Sequence, residues 1–594
     1  MSPVQPPRPQ PRVSTPRRTR RPTSLAWFVA RVVSGSAAGS DASRFFRSVV
    51  YALLGLCLAT GAAMSDVYFH RGVETSASPP YVVQVSGRDL ASNVDLLDFS
   101  PEQVDSVASI LKTSGFLIVR QPFSWASIEP ERGQFSWDPY DRLVGALNSH
   151  GIQIVAVLAD SPDWARSLGA VGTQDAPPAN VADYAAFVQQ VVGRYKRKVQ
   201  FVQLWDLPNR ADHWGGTAAT PVQYADLLAN GFNAARTGEA ETKVVLAEFD
   251  PSGDGRFGAD IRFLRAIYDL GRSAFFDVVA ARIDGGTSSP YDRTVDPQRA
   301  NLSRAVLFRE LMMAKGDQTK PVWLTHYGWQ TGPGSPVTPD EQADFLLGAM
   351  ERAHAEWPWL GLMFAWDLMP NGTSDASAGY ALLNADRTAT PAFEVLSSFG
   401  TSPDASLAGT GFVPMESRPI SYGRNWSDQH LDERVFKTTG ETTASATLRF
   451  QGTGVLAYLR QSNDAGRLRA TLDGGPLPGW SGDSAGSVID LQSFQAHNVW
   501  LTLASELADR PHELVLTLDS PKALTIGGIV ISREPPLVWP VALLAVAALV
   551  LLVRALRELS YLAATRAGYL QRRRGVELRP PLPHLPDWRP MRRT

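Results

Sequence analysis

Reactive side chains gather at the ends of short apolar runs. RQPFSW carries Arg120 and Trp125, VLADSPDW carries Asp160 and Trp164, and LWDLPN carries Trp205, Asp206 and Asn209. Further along, VVLAEFD holds Glu248 and Asp250, ARID holds Arg282 and Asp284, LTHYGW holds His326 and Trp329, and FAWDL holds Trp366 and Asp367. Carboxylates grouped in a cleft can move protons or act as nucleophiles, and indole faces beside a few polar groups make a ligand site. No zinc-type His/Cys cluster, phosphate-binding Gly loop or nucleotide fingerprint is present, so neither metal nor cofactor is expected.

Positioning such groups takes elements that end at one place. Eight apolar runs recur, at 81–87, 115–123, 151–160, 199–209, 242–250, 275–284, 321–329 and 361–368. They are rich in β-branched residues and nearly continuous, the mark of parallel strands covered on both faces. Helical segments fill the gaps. VADYAAFVQQVVGRYKRK is amphipathic, and TPDEQADFLLGAMERAHAEW opens with Thr338 as N-cap, Pro339 next and Glu341 completing a capping box. Eight strand–helix units over 81–400 predict an α/β fold of the (β/α)8 TIM barrel type, with reactive groups at the strands' C-terminal ends. Beyond residue 412 the runs shorten and lose their helices, which predicts an all-β sandwich domain over 412–533.

The two ends read differently. Residues 1–47 hold nine Arg against one acid and are rich in Pro and Ser, a composition expected to stay disordered. Charge-free runs follow at 48–65 and 535–553, each about as long as a membrane span requires at roughly 20 residues. The last of them precedes a basic tail, 554–594, with ten Arg and three acids. The expectation is two transmembrane helices, both termini cytoplasmic and residues 66–534 extracytoplasmic. A cleaved signal peptide is the competing reading of the first run. Between the tails, 38 Lys and Arg face 55 Asp and Glu, about −17, which argues against nucleic acid as a partner. The single cysteine, Cys57, lies in the first run, so no disulfide supports the middle.

RQPFSWASIEPERGQFSWDPYDRLV, VLADSPDWAR, LWDLPNRADHW, PVWLTHYGW and FAWDL, in this order, resemble the successive strand ends of clan A glycoside hydrolases, most similarly families 39 and 5. The later domain resembles, more weakly, the accessory domains, often carbohydrate-binding, that accompany such barrels. Retaining hydrolysis of a glycosidic bond needs two carboxyl groups about 5–5.5 Å apart, and inversion needs about 6.5–9.5 Å. The resemblance implies an acid/base Glu in a Trp-Asn-Glu-Pro-Asn run, where this chain has Trp205-Asp206-Leu207-Pro208-Asn209. It implies a nucleophilic Glu in a Thr-Glu-Phe-Gly-like run, where this chain has Thr325-His326-Tyr327-Gly328. A His-x-Tyr expected on strand 6 is replaced by Arg282-Ile283-Asp284. Both catalytic positions, Leu207 and His326, therefore lack a carboxylate.

Three readings follow. In the first, a degenerate, membrane-anchored barrel binds or organises an oligo- or polysaccharide through Arg120, Trp125, Trp164, Asp206, Asn209, His326, Trp329 and Trp366, and a charge network of Asp206, Arg282 and Asp284 replaces the lost glutamates. In the second, relocated carboxylates, Asp206 with Asp284 or Asp367, keep hydrolysis alive. In the third, the barrel is a structural or interaction module of an envelope assembly.

Overall fold

The structure is a computed structural model, which describes residues 41–75, 89–167, 175–370, 377–431, 434–535 and 538–573. Eight parallel strands form one sheet: β1 (Leu90–Asn93), β2 (Phe116–Ser124), β3 (Gln153–Ala159), β4 (Phe201–Leu204), β5 (Lys243–Val245), β6 (Val279–Asp284), β7 (Val322–Gly328) and β8 (Leu360–Ala365). Their order is β5-β4-β3-β2-β1-β8-β7-β6, and a parallel bridge from Val245 to Val278 joins the two ends. The result is a (β/α)8 barrel. Its first strand corrects the sequence reading: LASN at 90–93 pairs with both β2 and β8, whereas the run at 81–87 lies outside the described residues.

Strand periodicity explains the interior. Ala91, Ile118, Val155, Phe201, Val245, Ala280, Trp323 and Leu362, one from each strand, pack into a buried layer inside the barrel. A larger apolar layer lies between strands and helices. The helices are started by side chains, as P-rich turns followed by Gln or Glu suggest. Ser100, Thr220 and Thr338 each cap a helix and each closes a capping box, with Gln103, Gln223 and Glu341 respectively.

Residues from 411 onward build two antiparallel sheets, of seven and six strands. Leu448, Leu459, Leu468, Leu516 and Ile529 belong to one buried cluster drawn from both sheets. This β domain belongs to the same compact unit as the barrel. At its end, the amide of Arg533 donates to the carbonyl of Thr75 at 3.0 Å, so the first and last described segments of the unit lie side by side.

A second compact unit comprises helices Asp41–His70 and Trp539–Arg573. Both are long and apolar enough to cross a membrane; the first extends past the expected 48–65 segment at both ends, and the second starts at Trp539, after the expected 535, and runs on past 553. They pack together. Tyr51 and Ala555 are buried in one cluster, and a Cβ on Gly55 would stand 3.0 Å from Leu552, so the glycine permits the approach. Arg44 and Arg47 face Glu558 at 3.6 and 3.7 Å.

Candidate active site

Side chains on one face of a strand recur every second residue. Two residues beyond the apolar barrel layer, the same faces therefore carry Asn93 after Ala91, Arg120 after Ile118, Gln203 after Phe201, Arg282 after Ala280 and Thr325 after Trp323. A layer of polar groups thus sits on top of the apolar one at the C-terminal mouth.

These groups satisfy one another. Asn93 donates to the carbonyls of Thr325 and Ala365 at 2.9 and 3.0 Å, tying β1 to β7 and β8. Arg120, almost fully buried, spends all three guanidinium nitrogens: Nε on Gln203 at 2.9 Å, Nη1 on Asn93 Oδ1 at 3.0 Å and Nη2 on Asp206 at 2.6 Å. Gln203 also donates to Asp206 at 3.0 Å. The Asp206 carboxylate remains 24% exposed.

The centre of the mouth is Glu248, three residues past β5 and 0% exposed. Its Oε1 accepts from Arg282 Nη1 at 2.8 Å, and its Oε2 accepts from Thr325 Oγ1 at 2.7 Å and from His326 Nδ1 at 2.6 Å. Consecutive residues of a regular strand face opposite ways, yet Thr325 and His326 reach the same oxygen. Register shifts between Ala281 and Arg282 on β6 and between Leu324 and Tyr327 on β7 make this possible.

Burial opposes ionisation of Glu248, but the charges of His326, Arg282 and Arg120 and the His326 hydrogen bond outweigh it and hold the carboxyl well below its usual range. Burial pushes His326 below its ordinary value; Glu248 opposes that shift and Arg282 adds to it. His326 Nδ1 therefore donates to the Glu248 carboxylate. Among the described residues His326 Nε2 has no protein partner, and it is not sealed from solvent.

Trp366 completes the mouth. Tyr380 stacks on it at 4.2 Å between ring centroids, Arg282 lies over the ring at 4.2 Å, and His326 meets it edge-on at 5.4 Å. Tyr380 in turn donates to Asp284 at 3.2 Å.

The turn after β4 is strained: Trp205 and Leu207 have φ of 72° and 43°, left-handed values that cost a non-glycine residue on the order of 1–2 kcal/mol each. Surrounding contacts hold it. Trp205 donates from its indole to His213, and Leu207 is buried.

The structure brings Arg120, Asp206, His326 and Trp366 together at the mouth and sends other expected site residues elsewhere. Trp125 is 0% exposed, stacked on Phe187 with its indole bonded to Glu129, so its ring is core rather than cleft. Trp329 is likewise enclosed; its indole donates to Ser288 and its ring covers Gly285 so closely that a Cβ there would sit 2.0 Å away. Asn209 uses its amide on the backbone of Asp250 in both directions, pinning two loops. Trp164 is half-buried, with Arg132 4.3 Å above its ring. The expected network of Asp206, Arg282 and Asp284 is not formed: Asp206 pairs with Arg120, Arg282 with Glu248, and Asp284 accepts from Tyr380 and Gly286. Asp367 accepts from Ser377 and from the Met369 amide. Glu248, the hub, is one of several strand-end carboxylates in the sequence. What singles it out is its parity: it falls one residue out of step with Val245 and Ala247, and only the irregular strand end turns it inward.

Residues 98–168 match the family model described as Glyco_hydro_42: Beta-galactosidase. Two curated relatives align over 206 residues, 32% of this chain: Endo-1,4-beta-xylanase 1 of Gibberella zeae at 26% identity and Endo-1,4-beta-xylanase A of Fusarium oxysporum f. sp. lycopersici at 25%. The chain spans about half the length of these relatives, 53% and 58%. Among solved structures, a family 39 glycoside hydrolase from Bacteroides cellulosilyticus WH2 superposes at TM-score 0.43 with 15% identity, covering 73% of this chain and 81% of that one. GH5_18 from Streptomyces cattleya superposes at 0.41 with 18% identity, covering 54% and 80%. The barrel is thus glycoside-hydrolase-like, with xylanases among its sequence relatives.

Proposed function

We propose that this chain is a membrane-anchored, extracytoplasmic member of the glycoside-hydrolase-like barrels that binds or organises cell-surface polysaccharide in its mouth without cleaving it. The observation that carries this reading is the state of Glu248. Both its oxygens are taken by Arg282, Thr325 and His326, and no part of it is exposed. A carboxylate so enclosed cannot reach an anomeric carbon or a glycosidic oxygen, and the positions where the resemblance implies glutamates hold Leu207 and His326. What the mouth still offers is suited to holding hydroxyls and a ring face: the open Nε2 of His326, the guanidinium of Arg282 and the half-buried Trp366.

The membrane part of the proposal is supported by the two apolar helices and the Arg-rich segments outside them. Labelling a cysteine placed in each tail with an impermeant reagent in intact cells tests it; labelling of either tail counts against cytoplasmic termini.

One observation favours a second reading. Asp206 is a quarter exposed beside a strained backbone, so a hydrolase using this carboxylate remains the competing function. The full-length protein in detergent, incubated with plant, fungal and bacterial polysaccharides, separates the two when binding and reducing-end release are recorded together. Binding without release supports the proposal. Release that vanishes in Asp206→Ala overturns it in favour of the hydrolase, and absence of binding to any glycan leaves the barrel as an interaction module.

A further inference from the structure

Arg282 is a guanidinium at the mouth with donors to spare. Arg120 commits Nε, Nη1 and Nη2 to three protein acceptors. Arg282 commits only Nη1, to Glu248, and among the described residues its Nε and Nη2 have no protein acceptor. Neither nitrogen is among the buried polar atoms lacking a partner, so both are reachable by solvent. The group is nonetheless held in place, by the Glu248 bond on one side and by the Trp366 ring 4.2 Å away. Stacking over an indole engages the flat face of a guanidinium and leaves its edges for hydrogen bonds.

A fixed edge with two parallel N–H donors matches a planar carboxylate, which it can bind bidentately, better than it matches separate hydroxyls. We infer that the sugar held in this mouth carries a carboxylate: a uronic acid residue whose carboxyl sits on the Nε–Nη2 edge of Arg282, with a neighbouring hydroxyl donating to His326 Nε2. This rests on the reading that the mouth binds glycan, and it names the chemical class of that glycan. The imidazole and the guanidinium edge belong together because both Arg282 and His326 are clamped to Glu248, so the two ligand-facing groups share one anchor.

The first arm of the test needs no variant. Uronate-containing oligosaccharides are titrated into the full-length protein in detergent, alongside the same oligosaccharides after reduction of each carboxyl to a hydroxymethyl group. Loss of two charge-assisted hydrogen bonds is expected to weaken binding about 10- to 100-fold. Arg282→Lys, which keeps the charge that faces Glu248 but removes the fork, should lose most of that preference while retaining the weaker affinity for the reduced sugars. Equal binding of native and reduced sugars overturns the uronate assignment and leaves glycan binding standing. Binding of a sulfated oligosaccharide but of no uronate also overturns it. Failure of every sugar to bind removes both.

Discussion

His326 Nδ1 lies 2.6 Å from Oε2 of Glu248, a buried carboxylate contributed by the end of a different strand. A histidine thus stands where the family resemblance implies a nucleophilic glutamate, and its ring is a hydrogen-bond donor to another glutamate. The two residues define the electrostatics of the mouth.

Restoring a carboxylate at 326 should therefore fail unless Glu248 is neutralised. His326→Glu sets two carboxyls side by side, and Glu248→Gln leaves Arg282 without its counter-charge; each should cost about 3–5 kcal/mol. Combined, the new carboxylate faces Arg282 and a neutral amide, so the double variant should be more stable than the sum of the single effects by at least 1 kcal/mol. A double-mutant cycle by denaturant unfolding measures this, and strict additivity would refute the clamp.

Acid should loosen the structure in two stages. The folded pKa of His326 is depressed below the ordinary 6.5, so the unfolded chain binds the extra proton first and stability falls as pH drops below about 6.5. Glu248 is also depressed, from 4.5, so its contribution is complete above about 4.5 and is lost as pH falls further toward its folded value. The two effects have the same sign. Thermal midpoints recorded between pH 8 and 4 should decline through the first window, and His326→Gln, which has no titrating ring, should flatten that part of the curve.

The tryptophans divide by environment. Trp125→Ala and Trp329→Ala empty fully buried sites and should each cost about 3–5 kcal/mol of stability. Trp366→Ala removes a half-buried ring and should cost less, about 1–2 kcal/mol from the Arg282 and Tyr380 contacts, while abolishing detectable oligosaccharide binding. Melting curves paired with binding titrations check the division; Trp366→Ala with undiminished binding would remove this ring from the site.

Helices Asp41–His70 and Trp539–Arg573 should be cross-linkable where they touch. In a Cys57→Ser background, Tyr51→Cys with Ala555→Cys should be joined by a short bis-maleimide, so that the fragments from proteolysis between them stay together on a denaturing gel. Leu56→Cys, at a position facing outward from the pair, should not join to Ala555→Cys.

The barrel could be read from sequence because its signals are local and periodic: β-branched runs of strand length and capping residues such as Thr338 before Pro339. Its first strand could not, since LASN is short and half polar, and a longer apolar run at 81–87 precedes it. The placing of Arg120 and His326 at the barrel mouth was legible because each breaks an apolar run at its end. The partnership of Arg282 with Glu248 was not, because Glu248 is out of step with its strand and faces the mouth only through the irregular chain after β5. Trp125 and Trp329 misled for a related reason: a tryptophan just past a strand end can fold back over the helix layer as readily as it can line the mouth, and only burial distinguishes the two.

The bond between Thr75 and Arg533 has a meaning for the unfolded chain as well as the folded one. Two long helices that pack on each other join the ends of the 70–535 segment, much as a covalent staple would. If that pairing outlasts the melting of the barrel, the denatured segment is a closed ring with fewer configurations than a free chain, and the folded state gains by comparison. Cutting the chain between either helix and the barrel would then lower the melting temperature without removing a single contact inside the barrel.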